Sequence, residues 1–235
     1  MANVDEIMQQ LADLGSTQTL NIYRRHGAPD NSFGVKVGAM KPLAKRFRGE
    51  QETALALYDT GNGDAQYFAG LIAKPKAFTQ VQLNHWAQTA TWYMVAEYTV
   101  PRMTVNNAAC WPCIETWLDH TSDSVRATGW TTMGSYTAIT ADEQLDLASL
   151  SNYLLKVQND IHSSTNRTRY ARNQFVISIG CYVQPLHEEA LAVAKAIGKV
   201  KVDLGKTACK VPQASTYIEK VATMNRVGKK QKPST

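Results

Sequence analysis

Apolar residues recur every three or four positions through most of the chain, and alternating stretches typical of strands are rare. In the opening segment Val4, Ile7, Met8, Leu11 and Leu14 share one side of a helix of about three turns. Eleven further helical stripes lie at residues 43–48, 52–58, 65–72, 79–92, 94–100, 114–118, 125–136, 141–157, 168–183, 187–197 and 211–222. We therefore predict an all-α protein.

Three of the predicted helices resemble one another, which indicates a helical repeat. They begin at Asp64, Asp123 and Asn166, and each opens with an acid or amide expected as the N-cap before running into small and apolar residues. The starts are 59 and 43 residues apart, and the second interval matches a HEAT-type unit of about 40–47 residues. We predict an α-solenoid of HEAT-like helical repeats with a basic concave face; the alternative is an irregular helical bundle.

The domain prediction follows from the same pattern. Residues 1–222 form a single HEAT-like-repeat domain in this interpretation, and residues 223–235 form a basic, disordered tail. With 44% apolar residues the chain can bury a sizeable core, and its apolar runs are far shorter than the roughly 20 residues of a membrane span. A polar start without a signal pattern and four cysteines favour a reduced, cytoplasmic protein, which we expect to be a monomer without a membrane partner.

Charge is distributed unevenly along the chain. The formal net charge of +5 divides into +2 for residues 1–50, −6 for residues 51–150 and +9 for residues 151–235. A strongly basic third favours a polyanionic partner, and nucleic acid is the leading candidate. The alternative is a basic tail that only keeps the protein soluble.

The segment Cys110 to Cys113, reading CWPC, is the first candidate for chemistry. Redox motifs of this kind follow a strand in a βαβ unit, and no strand is predicted here. A zinc site needs two more ligands, but Cys181 and Cys209 stand alone and no pair of histidines accompanies them. Because Pro112 suits the first turn of a helix, we interpret the segment as a helix start and expect no metal and no cofactor.

An aromatic ring and a carboxylate form a second candidate site. Tyr93 and Glu97 are four residues apart, so a helix would place them on one face. Such a pair attracts a cationic ligand through the charge and the ring quadrupole. If the cation is only a neighbouring arginine, the pair is structural.

Basic side chains at both ends of the chain form a third candidate site. Lysine and arginine donors of this kind hold the phosphates of a duplex from both sides of a solenoid, although each group alone is usually a solvated face. The candidate DNA-binding residues are Lys41, Lys45, Arg46, Arg167, Arg169, Arg172, Lys206 and Lys210.

Four segments together resemble a known family. They are FGVKVGAMKPLAKRF, TWYMVAEYTVP, DSVRATGWTTMG and NQFVISIGCYVQPLHEEALAVAKAIGKVKVDLGKTACKVPQASTYIEKV, and they span about Asn31 to Val221. The chain resembles the DNA alkylation repair proteins of the AlkD type. These are HEAT-like-repeat DNA glycosylases that remove cationic N3- and N7-alkylated purines, so the resemblance implies double-stranded DNA with alkylated bases as the partner.

The resemblance also implies a set of catalytic residues. Trp92 and Tyr93 would form the aromatic side of the cleft, Glu97 stands where the family has its catalytic aspartate, and Arg126 resembles the cleft arginine. Ile177 replaces a third aromatic residue of the family pattern. A carboxylate at Glu97 would stabilise an oxocarbenium-like sugar and orient water. Arg126 would bind a flanking phosphate or, alternatively, join two repeats through a salt bridge.

These observations leave three hypotheses. The first is a DNA glycosylase acting on alkylated purines. The second is a non-catalytic DNA-binding solenoid for distorted or branched DNA. The third is a protein-interaction scaffold, because HEAT-like repeats often bind proteins.

Overall fold

A computed structural model describes residues 4–232, and these residues form 13 α-helices with short 3₁₀ turns between them. Strand pairing within this range amounts to an isolated bridge between Gly15 and Val35. The predicted all-α class is therefore confirmed. In chain order the helices are α1 (Val4–Leu14), α2 (Thr17–Arg25), α3 (Val37–Arg46), α4 (Gln51–Asp59), α5 (Gly63–Ile72), α6 (Gln80–Thr89), α7 (Val100–Thr104), α8 (Cys110–Leu118), α9 (Asp123–Ile139), α10 (Leu147–Asp160), α11 (Asn166–Tyr182), α12 (His187–Ile197) and α13 (Ala214–Thr223).

Among the differences from the predicted stripes, those at α2 and α13 have a clear physical cause. Helix α2 was not predicted, because its sequence TQTLNIYRR is mostly polar and lacks a broad apolar stripe. Helix α13 begins at Ala214 rather than near Val211. Pro212 explains the later start, since a residue that precedes a proline is disfavoured in the helical conformation.

The chain forms two compact units. The first extends to Cys113 and includes Leu204–Ala208, and the second comprises Ile114–Asp203 and the chain from Cys209 onward. Large aromatic side chains fill both cores. In the first unit Trp86 is fully buried and stacks on Tyr58 at 3.9 Å, and in the second unit Trp117 and Trp130 are fully buried. These three tryptophans therefore fill spaces between the helices of their units.

The residues expected to cap the three repeat-like helices have another role. Helix α5 is capped by Asn62, whose side chain accepts hydrogen bonds from the backbone N–H groups of Asp64 and Ala65. The carboxylate of Asp64 instead accepts the backbone N–H groups of residues 33–35 at 2.6–2.9 Å. Asp64 therefore joins α5 to the segment that precedes α3, and the predicted capping role is wrong.

Asp123 and Asn166 repeat this arrangement in the second unit. The carboxylate of Asp123 accepts the backbone N–H groups of Arg167 and Thr168 at 2.9 and 3.0 Å, together with the hydroxyl groups of Thr165 and Thr168. The side-chain amide of Asn166 exchanges two hydrogen bonds of 2.8 Å with the backbone of Asp203. The first turn of each repeat-like helix thus binds the backbone of another segment, which supports the repeat interpretation.

The segment after α13 was expected to be disordered, but its described part packs against the second unit. The backbone N–H of Gly228 donates to Cys181 O at 3.0 Å, and that of Gln231 donates to Ala138 O at 2.8 Å. Lys230 lies 2.7 Å from a carboxylate oxygen of Asp142. Since these bonds satisfy backbone groups and pair a charge, the expectation of disorder is wrong for residues 224–232.

Candidate functional site

The helix that carries Glu97 contains one widened turn. Residues Val95–Thr99 form a π-helical turn, in which the backbone N–H of Val100 donates to Val95 O five residues back, and α7 follows. Pro101 explains the widening, because it has no N–H to donate to the carbonyl four residues back and its ring would collide with that carbonyl. Turns of this type occur frequently at functional sites.

Helix α5 lies directly against this π-helical turn. A Cβ atom built on Gly70 would lie 2.3 Å from Cγ2 of Thr99, so only glycine permits this approach. The turn buries Glu97 to 6% exposure, while its neighbour Tyr98 is 52% exposed. The π-helical turn therefore carries a buried carboxylate and, at the next position in the chain, an exposed aromatic residue.

Five rings of the first unit form what we call the aromatic cluster. Trp92 lies 5.2 Å from Tyr23 and 5.6 Å from Tyr93, as measured between ring centroids. Tyr93 in turn lies 6.2 Å from His26 and 6.4 Å from Tyr98. The Tyr93 hydroxyl and His26 Nδ1 are 3.3 Å apart, which is within hydrogen-bond distance. The structure thus brings together two predicted site residues, Trp92 and Tyr93.

Burial disfavours the phenolate forms of Tyr23 and Tyr67. It raises the pKa of the Tyr23 phenol, and the nearby Asp64, Tyr67 and Tyr93 raise it further. Burial also raises the pKa of Tyr67, although the charge of Arg102 opposes the shift. Aromatic faces attract a cation through the ring quadrupole, so the exposed edge of the aromatic cluster, at the 52% exposed Tyr98, could contact a cationic ligand.

Sequence reasoning missed two members of the aromatic cluster. Tyr23 and His26 belong to α2 and its C-terminal end, and α2 itself was not predicted. Their ring contacts with Trp92 and Tyr93 join residues 67 or more positions apart, and no pattern in the sequence predicts which distant residues make such contacts. The π-helical turn also changes the α-helical spacing on which the pairing of Tyr93 and Glu97 was predicted.

The predicted cations of the first unit lie on its surface. Lys41 and Lys45 are exposed on α3, and Lys206 is exposed in the segment Leu204–Ala208. Arg46 is also exposed, donates to the Gln10 side chain at 3.0 Å and lies 5.3 Å from the ring centre of Phe47. The lysines of this group are thus available to an anionic partner.

Arg126, the predicted cleft arginine, contacts its own unit. Its guanidinium group donates to the carbonyl groups of His120 and Thr121 at 2.6 and 2.8 Å and to the Thr165 hydroxyl at 2.9 Å. It also lies 4.0 Å from the Asp123 carboxylate. These contacts agree with the alternative interpretation, in which Arg126 joins two repeats.

Two of the three predicted arginines of α11 also bind the protein itself. Arg172 is buried to 6% exposure and donates to Asp160 and to the Ser164 hydroxyl, both at 2.6 Å. Arg169 donates to the carbonyl groups of Lys201 and Ser164 at 3.0 and 2.7 Å. The prediction that Arg172 contacts DNA is wrong, because a duplex cannot reach a side chain that is enclosed in the unit.

The remaining predicted cations of the second unit are more accessible. Arg167 is half-buried, with its guanidinium carbon 4.9 Å from the ring centre of Tyr170, and Lys210 is exposed. Ile177, which replaces a family aromatic residue, is 6% exposed and lines a pocket of about 330 Å³ within this unit. Of the predicted DNA-binding cations of this unit, Lys210 is thus the exposed one, and the unit also contains a cavity.

The CWPC segment has the role predicted for it. Cys110–Leu118 forms helix α8, with Ile114 and Trp117 fully buried on its inner face. Cys110 and Cys113 are buried as well, and burial raises the pKa of their thiols to about 12 and about 11. Both thiols are therefore protonated and poor nucleophiles at neutral pH.

Two other properties bear on the class of protein. Within residues 4–232, no helix has the length and apolar character needed to cross a bilayer. In the same range, no three or more histidine, cysteine, aspartate or glutamate side chains are grouped as metal ligands would be.

Both units are all-helical, and the first turns of three helices bind the backbone of another segment in the same way, which defines a HEAT-like repeat protein. Comparison of the sequence with known families identifies the family. Residues 7–218 match the family described as DNA alkylation repair enzyme, so the chain belongs to that family. Two uncharacterized proteins, of Listeria monocytogenes and Listeria innocua, are each 32% identical to it. The alignments cover 94% and 97% of this chain and 97% and 100% of the Listeria proteins.

A solved structure supports the same assignment. It belongs to a new family of proteins related to the HEAT-like repeat DNA glycosylases, with affinity for branched DNA structures. The TM-score is 0.91 with 32% sequence identity, and the match covers 100% of this chain and 99% of the other. The HEAT-like repeat fold predicted from the sequence is therefore confirmed.

Proposed function

We propose that this protein binds DNA and prefers branched DNA to a linear duplex. The observation that carries the proposal is its likeness, over the whole of both chains, to a solved protein with affinity for branched DNA. The accessibility of the charged side chains is consistent with DNA binding and not with catalysis. Glu97 is almost enclosed and Arg126 donates to its own unit, whereas Lys41 and Lys45 are exposed.

Phosphate contacts supply most of the binding energy in this proposal. Each lysine that neutralises a phosphate releases counterions, so the affinity falls steeply as salt rises. Lys41 and Lys45 are four residues apart on α3, and Lys206 and Lys210 are exposed elsewhere. These side chains position the DNA, and they carry no base specificity.

The test compares a four-way junction with a linear duplex of the same arm sequence by fluorescence anisotropy over a series of salt concentrations. We expect the junction to bind at least about tenfold more tightly, a difference of about 1.4 kcal/mol. The double variant Lys41→Gln, Lys45→Gln should reduce the salt slope by about 2, because each phosphate contact contributes about 1. Lys195→Gln is the matched control, since Lys195 already pairs with Glu219 at 3.3 Å.

Two outcomes would contradict this proposal. Equal affinity for junction and duplex would remove the preference for branched DNA. Absence of DNA binding at low salt would instead favour the protein-interaction scaffold.

Excision of cationic alkylated purines from double-stranded DNA is the second candidate function. The observation that favours it is the combination of Glu97, Tyr93 and Trp92 on consecutive turns of one segment. In this reaction the N-glycosidic bond breaks and the purine leaves with the bonding electrons, which neutralises its charge. The carboxylate of Glu97 stabilises the oxocarbenium-like sugar, water attacks its anomeric carbon, and the water proton passes to Glu97 or to solvent.

Release of methylated purine from methylated duplex, with the protein in excess, tests the second candidate. Glu97→Gln should abolish release and retain DNA binding, while Glu115→Gln, which alters an exposed carboxylate on α8, should change neither. Thermal unfolding of both variants separates a lost reaction from a lost fold, because Glu97 is buried. No release by the unaltered protein would eliminate this candidate and leave the binding function standing.

A further inference from the structure

We propose that the pocket of the second unit holds one uncharged nucleobase, and that in branched DNA this is an unpaired base at the branch point. The inference rests on the proposed DNA-binding function, and it adds a site that reads the base itself. Its basis is a cavity of about 330 Å³ lined by Trp130, Gln174, Ile177, Tyr182, Tyr217 and Gln231, among others.

The size of the pocket suits a small flat ligand. Binding sites for small molecules span about 300–1,000 Å³, so this cavity stands at the lower end of the range. Helices α9, α11 and α13 supply most of its wall, and Gln231 of the C-terminal segment completes it. Tyr217 lines the pocket while 48% exposed, so its ring is accessible for stacking on an incoming base.

The lining carries polar groups that can read a base edge. Gln174 donates to the Tyr170 hydroxyl at 2.9 Å, and its carbonyl oxygen is an acceptor. Ser178 donates to Gly134 O at 2.6 Å, and its hydroxyl oxygen has lone pairs for a donor. Trp130 is fully buried and contributes an aromatic side chain to the wall.

The charge of the pocket selects against ions. Among the described residues that line it there is no lysine, arginine, histidine, aspartate or glutamate. A phosphate would lack a counter-charge there, and so would a cationic alkylated base. Arg172 stacks on Trp130 at 4.8 Å, but its charge is paired with Asp160. A neutral base, with several donors and acceptors on a flat apolar ring, fits this lining best.

Binding of free deoxynucleosides tests the pocket without DNA. The probes are deoxyadenosine and thymidine at about 10 mM, a concentration at which millimolar affinity gives measurable binding. Binding is followed through changes in the indole N–H resonances of ¹⁵N-labelled protein. The Trp130 resonance should shift and that of Trp86, in the first unit, should not. Gln174→Leu should weaken the binding about fivefold or more, and Gln158→Leu, which alters an exposed glutamine of α10, should leave it unchanged.

A second measurement connects the pocket to DNA. A four-way junction carries 2-aminopurine either as one unpaired base at the branch or within a paired arm, and its emission reports stacking. Binding should change the emission at the branch, and Ser135→Phe, which fills the pocket from α9, should remove that change while lowering the overall affinity less than tenfold. Thermal unfolding of Ser135→Phe verifies that the variant is folded.

The outcomes separate this inference from the proposed function. No shift of Trp130 with either deoxynucleoside would overturn the inference even if junctions bind well. An emission change that persists in folded Ser135→Phe would also overturn it. A shift of Trp130 without any junction binding would retain the pocket as a nucleoside site and reject only the proposed DNA function.

Discussion

Replacing Gly70 by alanine tests whether α5 must lie directly on the π-helical turn. The new methyl carbon would lie 2.3 Å from Thr99 Cγ2, whereas non-bonded carbons are separated by about 3.5 Å or more. The two segments must therefore move apart by about 1.2 Å, and overpacking of this kind costs about 3 kcal/mol. Alanine recovers about 1 kcal/mol through its higher helix propensity. We expect Gly70→Ala to lower the free energy of unfolding by about 2 kcal/mol.

A double-mutant cycle isolates the contact responsible. Thr99→Ser removes Cγ2, after which the nearest Thr99 atoms, Cβ and Oγ1, are 3.4 and 3.6 Å from the new methyl carbon. Gly70→Ala should then be neutral or slightly stabilising, so the coupling energy between the two positions is about 2 kcal/mol. Urea unfolding of the four proteins, analysed for midpoint and slope, measures it.

Gly134→Ala in α9 is the matched control for this cycle. Its methyl carbon would lie 3.5 Å from Ser178 Cβ and 3.6 Å from Phe175 Cα, which are ordinary contacts. We expect no loss of stability, and a gain of up to about 1 kcal/mol. Additive effects of Gly70→Ala and Thr99→Ser would refute the argument, because they would show that the methyl group of Thr99 is not what excludes a side chain at position 70.

Three further predictions concern single groups of the second unit and the CWPC helix. Burial alone would raise the pKa of Asp123, but its hydrogen bonds hold the pKa below the ordinary value. The contribution of Asp123 to the free energy of unfolding is therefore complete above pH about 4 and is lost as the pH falls below that value. Acid unfolding of Asp123→Asn should show a smaller loss of stability below pH about 4 than the unaltered protein. Native protein treated with a thiol reagent at pH 8 should react rapidly at the exposed Cys209 and slowly at Cys110 and Cys113, and rapid modification of the last two would contradict their raised pKa values. Arg172→Gln should lower the free energy of unfolding by about 1–2 kcal/mol, because it removes the hydrogen bonds to Asp160 and Ser164 while the 41% exposed Asp160 stays hydrated, and it should not alter the salt slope of DNA binding.

Periodicity predicted the helices well where one face is apolar, as in α1 and α12. It missed α2, whose apolar residues are too few to form a broad stripe, and with it the rings of Tyr23 and His26. Periodicity also could not predict the π-helical turn, since the widening of this turn depends on where Pro101 lies relative to the packed helix α5. The aromatic cluster was thus only partly predictable, because two of its five rings join it through contacts that are distant in sequence.

The acids at the starts of the repeat-like helices show a different limit. Their spacing correctly indicated a repeat, yet Asp64 and Asp123 bind the backbone of other segments instead of capping their own helices. An N-cap and a tertiary hydrogen-bond acceptor have the same residue preference, since both need a short side chain that accepts N–H bonds. Charge patterning had a similar limit at Arg172, because sequence does not distinguish an exposed arginine from one paired in a core.

The two candidate sites differ in the charge that they accept, and this difference assigns them different parts of a DNA ligand. In the second candidate function, the rings of Trp92 and Tyr93 in the first unit contact the cationic base, beside the segment that carries the buried Glu97. In the second unit the pocket has a neutral lining, so it accepts an uncharged base and offers nothing to an ion. A branched DNA with an unpaired base at its branch point presents a neutral base to the second unit, whereas an alkylated duplex presents a cationic base and has no branch. Substitutions at Glu97 should therefore affect only the response to alkylated DNA, and substitutions at Gln174 only the response to branched DNA. A protein in which both substitutions weakened both responses equally would have one combined site, and the division argued from charge would be wrong.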